Sequence, residues 1–241
     1  MKKTFLKNKK NIQFLIIGLG LIGGSVAKRL SKNGFEVLAI EKSKSHLNYA
    51  KKSKIIIGSS EKIDSTKKLF VIVALPPKVI INNFDKYLDF FHKADFITDC
   101  TSVKKSLLNK IKKNKLESKF ILSHPIAGSE KSGFLNSNQD LFTEKITTIS
   151  KHEGLSIPTL QKCKEFWFEL GSKTHNLDPK LHDKIFSLTS HLPHVVAFSL
   201  ISLFSKRNTS EYKKFIGGGL KDFTRIAESD PMMWQNIFSL N

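Results

Sequence analysis

A glycine-rich turn set between an apolar run and a helix-forming stretch constrains this chain more than any other feature. Residues 11–17 (NIQFLII) read as a strand, Gly18-Leu19-Gly20-Leu21-Ile22-Gly23-Gly24-Ser25 follows, and a helical pattern runs on to about residue 33. In such a strand–turn–helix unit Gly18 permits the tight turn, Gly20 lets a pyrophosphate approach the backbone, and Gly23 brings helix and strand together. The helix start offers phosphate its unpaired N–H groups and the positive end of its dipole. Leu19, Leu21 and Ile22 share the turn and join the glycines as cofactor-binding candidates. A second strand, residues 35–40, leads into Glu41, 18 residues after Gly23. An acidic group there accepts hydrogen bonds from a ribose diol and repels a 2′-phosphate, which favours NAD over NADP. Lys42 and Lys44 beside it leave NADP possible.

Further apolar runs, residues 69–75 (LFVIVAL), 94–99 and 119–122, alternate with helical segments. Runs without polar alternation fit central strands of a parallel sheet covered on both faces, so the first part reads as a doubly wound, Rossmann-type α/β layer. Leu75 and Pro76 end the third run and are expected to contact the cofactor. From about residue 153 the texture turns helical, over 158–170, 179–204 and 231–240. The expectation is a dinucleotide-binding domain over 1–152 and an all-helical domain over 153–241. The 179–204 stretch is apolar around its whole circumference towards its end and reads as buried. Residues 1–10 read as a frayed basic tail.

The 40 Lys and Arg exceed 21 Asp and Glu, for a formal charge of +19. Only Arg29, Arg207 and Arg225 are arginine, whereas base-reading proteins favour arginine forks, and no nucleic-acid recognition motif is present. The lysines read as a solvated surface, with no nucleic-acid partner. Apolar stretches read as too short for a membrane span, and no secretory signal is evident, so a soluble, cytoplasmic protein is expected. Two cysteines exclude a disulfide-built scaffold, and no His, Cys, Asp and Glu set has metal-ligand spacing.

Three blocks remain: Ser123-His124-Pro125-Ile126-Ala127-Gly128-Ser129-Glu130-Lys131-Ser132-Gly133; Thr189-Ser190-His191-Leu192-Pro193-His194; and Gly217-Gly218-Gly219-Leu220-Lys221-Asp222-Phe223-Thr224-Arg225-Ile226-Ala227, running on to Asp230-Pro231-Met232-Met233-Trp234. With the glycine loop, in this order, they closely resemble the prephenate/arogenate dehydrogenase family of tyrosine biosynthesis. The resemblance implies NAD(P)-dependent oxidative decarboxylation of prephenate to 4-hydroxyphenylpyruvate, or of arogenate to tyrosine, by a homodimer. It assigns His124 as the catalytic histidine and Ser102 as the group that helps orient it. Ser102 also suits a helix N-cap, and both roles can hold at once. Arg225 is implied in binding a substrate carboxylate, for which a planar fork is suited; an ion pair with Asp222 or Glu228 is the competing account, and a tethering pair with Glu130 would also restrain the side chain. His194 is implied in lining the substrate pocket, with Gly218, Lys221 and Trp234 as weaker candidates. His191 reads as structural.

Family members usually continue for several helices beyond the position of Trp234, so the helical domain here reads as shorter than in the family. The competing readings are another small NAD(P)-dependent reductase, or a non-catalytic dinucleotide-sensing or nucleic-acid-binding protein on the same fold.

Overall fold

Why the apolar runs carry no polar alternation is explained by what covers them. Among the described residues, seven strands form one sheet: β1 (Ile12–Ile17), β2 (Glu36–Ile40), β3 (Lys68–Val73), β4 (Phe96–Asp99), β5 (Phe120–Pro125), β6 (Ile146–Ser150) and β7 (Lys173–Leu177), in the order β2-β1-β3-β4-β5-β6-β7. The computed structural model describes residues 6–128, 132–206 and 209–241. Ser129, Glu130 and Lys131, and with them the pairing considered between Glu130 and Arg225, lie outside the described residues.

The helices in chain order are α1 (Leu21–Lys32), α2 (Lys44–Lys52), α3 (Pro77–Asn83), α4 (Leu88–Lys93), α5 (Lys105–Lys113), α6 (Ile157–Glu169), α7 (Pro179–Phe186), α8 (Leu192–Ser205), α9 (Thr209–Tyr212), α10 (Gly218–Ala227) and α11 (Pro231–Leu240). Successive residues of β1 point to opposite faces. Phe14 and Ile16 join a cluster with Val26, Ala27 and Leu30 of α1 and with Phe166 and Trp167 of α6. Leu15 and Ile17 join Ile80 of α3, Phe91 of α4 and Leu107 and Ile111 of α5. The sheet is therefore doubly wound as expected, and each fully buried Phe or Leu contributes on the order of 1.5–3 kcal/mol.

Four expectations are corrected. First, the sheet is mixed: β1 to β5 pair in parallel, but β6 runs antiparallel to β5. Second, the sheet does not stop at residue 152. α6 packs on β4 and β5, and β7 pairs in parallel with β6. β7 (KTHNL) is a largely solvated edge strand and so carries no apolar run to betray it.

Third, the 179–204 helix is neither uniform nor buried. A π-helical turn, Ser187–His191, separates α7 from α8. Pro193 follows it; its ring crowds the carbonyl four residues earlier, and a widened turn relieves that clash. Leu188, Leu192, Val195, Val196 and Leu203 are exposed, Leu188 at 61% and Leu203 at 58%. The 27-residue run Pro179–Ser205 is, by length and composition alone, apolar enough to cross a membrane, with 11% of its most apolar window buried. The apolar stretches thus do not all fall short of a span. Fourth, the N-terminal tail is not frayed from Leu6 onward: Leu6 is buried in the core, and Lys9 lies 5.1 Å over the Phe35 ring.

The glycine loop is sterically determined. Gly18 has φ +98°, and a Cβ there would sit 2.7 Å from the Ala74 carbonyl oxygen; a Cβ on Gly23 would sit 1.9 Å from that of Gly18. A Cβ on Gly20, the residue preceding α1, would meet nothing within 4 Å. Gly23→Ala is therefore expected to cost at least about 1–3 kcal/mol in urea unfolding, whereas Gly20→Ala should cost about 1 kcal/mol or less. Equal losses in the two variants would contradict this account of the loop.

Candidate active site

The carboxyl ends of four neighbouring strands present the candidates along one edge of the sheet. The glycine loop follows β1, Leu75 and Pro76 follow β3, Ser102 follows β4, and His124 lies at the end of β5. Ligand sites of open α/β sheets form in this position, beyond the carboxyl ends of the strands.

Glu41, just past β2, turns back on the loop. Its Oε2 accepts from the Leu19 amide at 2.7 Å and its Oε1 from the Ser43 amide at 2.8 Å. It thereby holds the turn in shape beside Leu21 and Ile22, the first residues of α1. The open space at Gly20, the helix start directly behind it and the carboxylate of Glu41 together suit a dinucleotide.

Behind Ser102 and His124 lies a buried ion pair, whose Lys104 is a correction to the reading of the lysines as a solvated surface. Lys104 and Asp99 have fully buried side chains, with Lys104 Nζ 2.6 Å from Asp99 Oδ2. Nζ also donates to the Ser123 carbonyl at 2.6 Å and to Thr101 Oγ1 at 3.1 Å, which uses all three of its hydrogens. Asp99 Oδ1 accepts from the Ser123 amide at 2.9 Å and Oδ2 from the Thr101 amide at 2.9 Å. A buried pair survives only when its remaining lone pairs and protons are satisfied in this way.

The α5 N-terminus is capped from outside its own segment. Asp183 Oδ1 accepts from the Lys104 amide at 2.8 Å and Oδ2 from the Lys105 amide at 2.9 Å. Asp183, rather than Ser102, takes these amides. The same carboxylate lies 2.9 Å from His182 Nδ1, and His182 Nε2 lies 3.0 Å from His124 Nδ1. Phe186 packs on both rings, with centroids 4.7 Å from His124 and 4.4 Å from His182. His182 and Asp183 belong to the helix read from sequence as merely apolar. Adjacent His and Asp within an apolar helix was the signal that could have marked them.

Burial, reinforced by the Lys104 charge and by His182 and His191, holds His124 well below the ordinary histidine pKa. His182 is lowered by burial, against the opposing hydrogen bond to Asp183. Burial alone would raise Asp183, but hydrogen bonds from His182 and the Lys105 and Lys104 amides leave it lowered. His191, buried and bonded through Nδ1 to Asn241 Nδ2 at 2.9 Å, is depressed to about 4, chiefly by burial. This agrees with a structural role for His191.

His194 and Trp234 meet face to face, with centroids 3.5 Å apart. Trp234 packs in turn with Val103, next to Ser102, because α11 folds back onto α3. The structure thus brings His194 and Trp234 to the Ser102 end of the site. Gly218, Lys221 and Arg225 lie one layer further out on α10, which packs on α8, and all three are exposed. A Cβ on Gly217, Gly218 or Gly219 would meet nothing within 4 Å. Cys100 and Cys163 are free; burial pushes the Cys163 thiol up to about 12 and the Cys100 thiol higher still, so neither supplies a thiolate nucleophile.

Comparison with known proteins gives the family. Residues 26–176 match the family model for the prephenate dehydrogenase nucleotide-binding domain, and residues 178–241 match that for the prephenate dehydrogenase dimerization domain. The chain belongs to the prephenate dehydrogenase family. It is 32% identical to prephenate dehydrogenase of Lactococcus lactis over 95% of its length, and 27% identical to cyclohexadienyl dehydrogenase of Zymomonas mobilis over 94%. It spans 65% of the length of the L. lactis protein and 80% of that from Z. mobilis. Its fold superposes on A. aeolicus prephenate dehydrogenase in complex with hydroxyphenyl propionate and NAD+ with TM-score 0.83 at 33% identity, covering 94% of this chain and 82% of that one. The two family models meet between residues 176 and 178, where β7 ends and α7 begins.

The depressed histidines make stability depend on pH with a definite sign. Each of His124, His182, His191 and His194 has a folded pKa below the unfolded value of about 6.5, so the unfolded chain binds more protons below that pH. Unfolding free energy is expected to fall as pH drops below about 6.5, by up to about 1.4 kcal/mol per pH unit for each group. For His191 the loss ends near pH 4. Urea titrations from pH 8 to pH 4 measure this, and stability that stays flat from pH 6.5 to 5 would sink it.

Proposed function

We propose that the chain is an NAD-dependent dehydrogenase that oxidatively decarboxylates a cyclohexadienyl acid, prephenate or its amino counterpart arogenate, in the cytoplasmic synthesis of tyrosine. The observation that carries this reading is His124: a histidine held neutral, at the carboxyl end of the sheet, on the same edge as the glycine cradle. A nicotinamide bound there supplies the hydride acceptor.

The remaining chemistry falls to the chain. Loss of hydride from a carbinol carbon leaves positive charge that is relieved when the hydroxyl proton is accepted. His124, neutral at pH 7, accepts that proton. Ser102, at the neighbouring strand end, helps to orient His124. The ring carboxylate departs as CO2, and aromatisation makes the step irreversible. Arg225 binds a substrate carboxylate through its planar fork, with His194, Gly218, Lys221 and Trp234 lining the pocket. Leu19, Gly20 and the start of α1 hold the pyrophosphate, and Glu41 meets the ribose diol.

Initial rates of reduced-cofactor formation, crossing prephenate and arogenate with NAD and NADP, test the reading. Turnover with one acid and NAD is expected. A folded protein that binds NAD but turns over neither acid would instead be a dinucleotide-binding protein without this activity. His124→Asn is expected to lower kcat by about 10²- to 10⁴-fold with little change in KM. Arg225→Gln should raise substrate KM by roughly 10- to 100-fold, the value of a charge-assisted hydrogen bond.

A second copy of the chain is the proposed cover for α8. Its apolar residues surround the helix, as in a helix buried on all sides, yet Leu192, Val195, Val196 and Leu203 are exposed in a single chain. The match of residues 178–241 to a dimerization domain supports this occupant over a membrane. Light scattering after size exclusion should give a dimer, and Val196→Glu should shift it to monomer. A wild-type monomer at micromolar concentration would refute the proposal.

A further inference from the structure

The contacts behind His124 fix which of its two ring nitrogens faces outward. Asp183 receives the Lys104 and Lys105 amides on its two oxygens, as a carboxylate that only accepts. His182 Nδ1, 2.9 Å from Asp183 Oδ1, must then carry a hydrogen. A neutral imidazole with its hydrogen on Nδ1 has a bare lone pair on Nε2. His182 Nε2 lies 3.0 Å from His124 Nδ1, so that contact is a hydrogen bond when His124 carries its own hydrogen on Nδ1. The lone pair of His124 is thereby left on Nε2.

We propose that Asp183 and His182 are positioning residues that set the Nδ1–H tautomer of His124 and so present a bare Nε2 to the substrate hydroxyl. The proposal rests on the dehydrogenase reading above and names the atom that takes the proton. The hydroxyl proton passes to Nε2 while Nδ1 keeps its own hydrogen. His182 Nε2, polarised by Asp183 on the far side of the ring, then faces the Nδ1–H of an imidazolium, and a charge-assisted hydrogen bond is the stronger kind. Two features hold the relay still. His182 is fully buried, and Phe186 packs on both rings. The rings lie 63° apart, so the Nδ1–H of one meets the lone pair of the other edge to edge, without stacking. Neither His182 nor Asp183 reaches the substrate in this account. Their effect is exerted wholly through His124, as a carboxylate fixes the tautomer of a catalytic histidine in serine hydrolases.

The experiment pairs kinetics with a direct reading of the tautomer. In protein carrying 15N-labelled histidine, with His124 assigned by its loss in His124→Asn, the wild type should show a protonated Nδ1 and a bare Nε2. His182→Leu removes the acceptor and should convert His124 to a tautomer mixture, lowering kcat about tenfold or more with KM for substrate and cofactor within about twofold. His182→Gln places an amide oxygen near the lost Nε2 and should recover most of kcat. A merely structural role would impair Leu and Gln alike and move KM. The proposal is overturned by a wild-type His124 protonated on Nε2, by a folded His182→Leu with unchanged kcat, or by a Gln variant no better than Leu. If wild type turns over neither acid, the dehydrogenase reading fails, while the nitrogen spectra of wild type and His182→Gln still decide the relay.

Discussion

The buried pair of Lys104 and Asp99 is the constraint around which the functional edge of this molecule is arranged. Two charges removed from water at 2.6 Å separation are tolerated because every remaining donor and acceptor is answered. The answering groups come from different elements: the Ser123 amide and carbonyl from β5, Thr101 from the turn after β4, and the pair itself from the end of β4 and the residue preceding α5. The strand ends that carry Ser102 and His124 are thus fastened to each other before any ligand arrives. A hydrophobic replacement of equal volume would fill the space but leave the Ser123 and Thr101 backbone groups without partners.

Asp183 extends the same fastening to the helical region. Its carboxylate is spent on the amides that open α5, so α7 is tied to the sheet by two hydrogen bonds at the point where a helix dipole is most receptive to negative charge. Asn241 adds a second tie, donating to the Asp183 carbonyl and to His191. The four histidines gathered here are kept neutral mainly by burial. That is costly in acid, where unfolding lets each of them take up a proton that its buried site disfavours.

What the sequence made legible follows from which physical signals are local. The glycine loop was readable because two of its glycines answer steric demands made by the nearby backbone, at Ala74 and at Gly18 itself. β1 to β5 were readable because burial on both faces leaves uninterrupted apolar runs. β6 and β7 were not. One is rich in threonine, and the other is a solvated edge whose place is set by pairing across the sheet. The break between α7 and α8 depends on how Pro193 distorts the turn before it, and composition gave no hint of that distortion. His124, Ser102 and His194 could be picked out as candidates by their motifs. Lys104, Asp99, His182 and Asp183 act through contacts between residues up to 79 positions apart, Lys104 to Asp183, with no shared motif to announce them.

The uncovered apolar circumference of α8 has one further consequence. α8 begins at the π-helical turn that carries His191, and it holds His194 against Trp234. If a second chain is what shields that circumference, association and folding draw on the same free energy, and resistance to heat or denaturant becomes a function of protein concentration. Dilution would then loosen the pocket wall before it melted the sheet, so the wall formed by His194 and Trp234 would be lost at concentrations where the sheet was still intact.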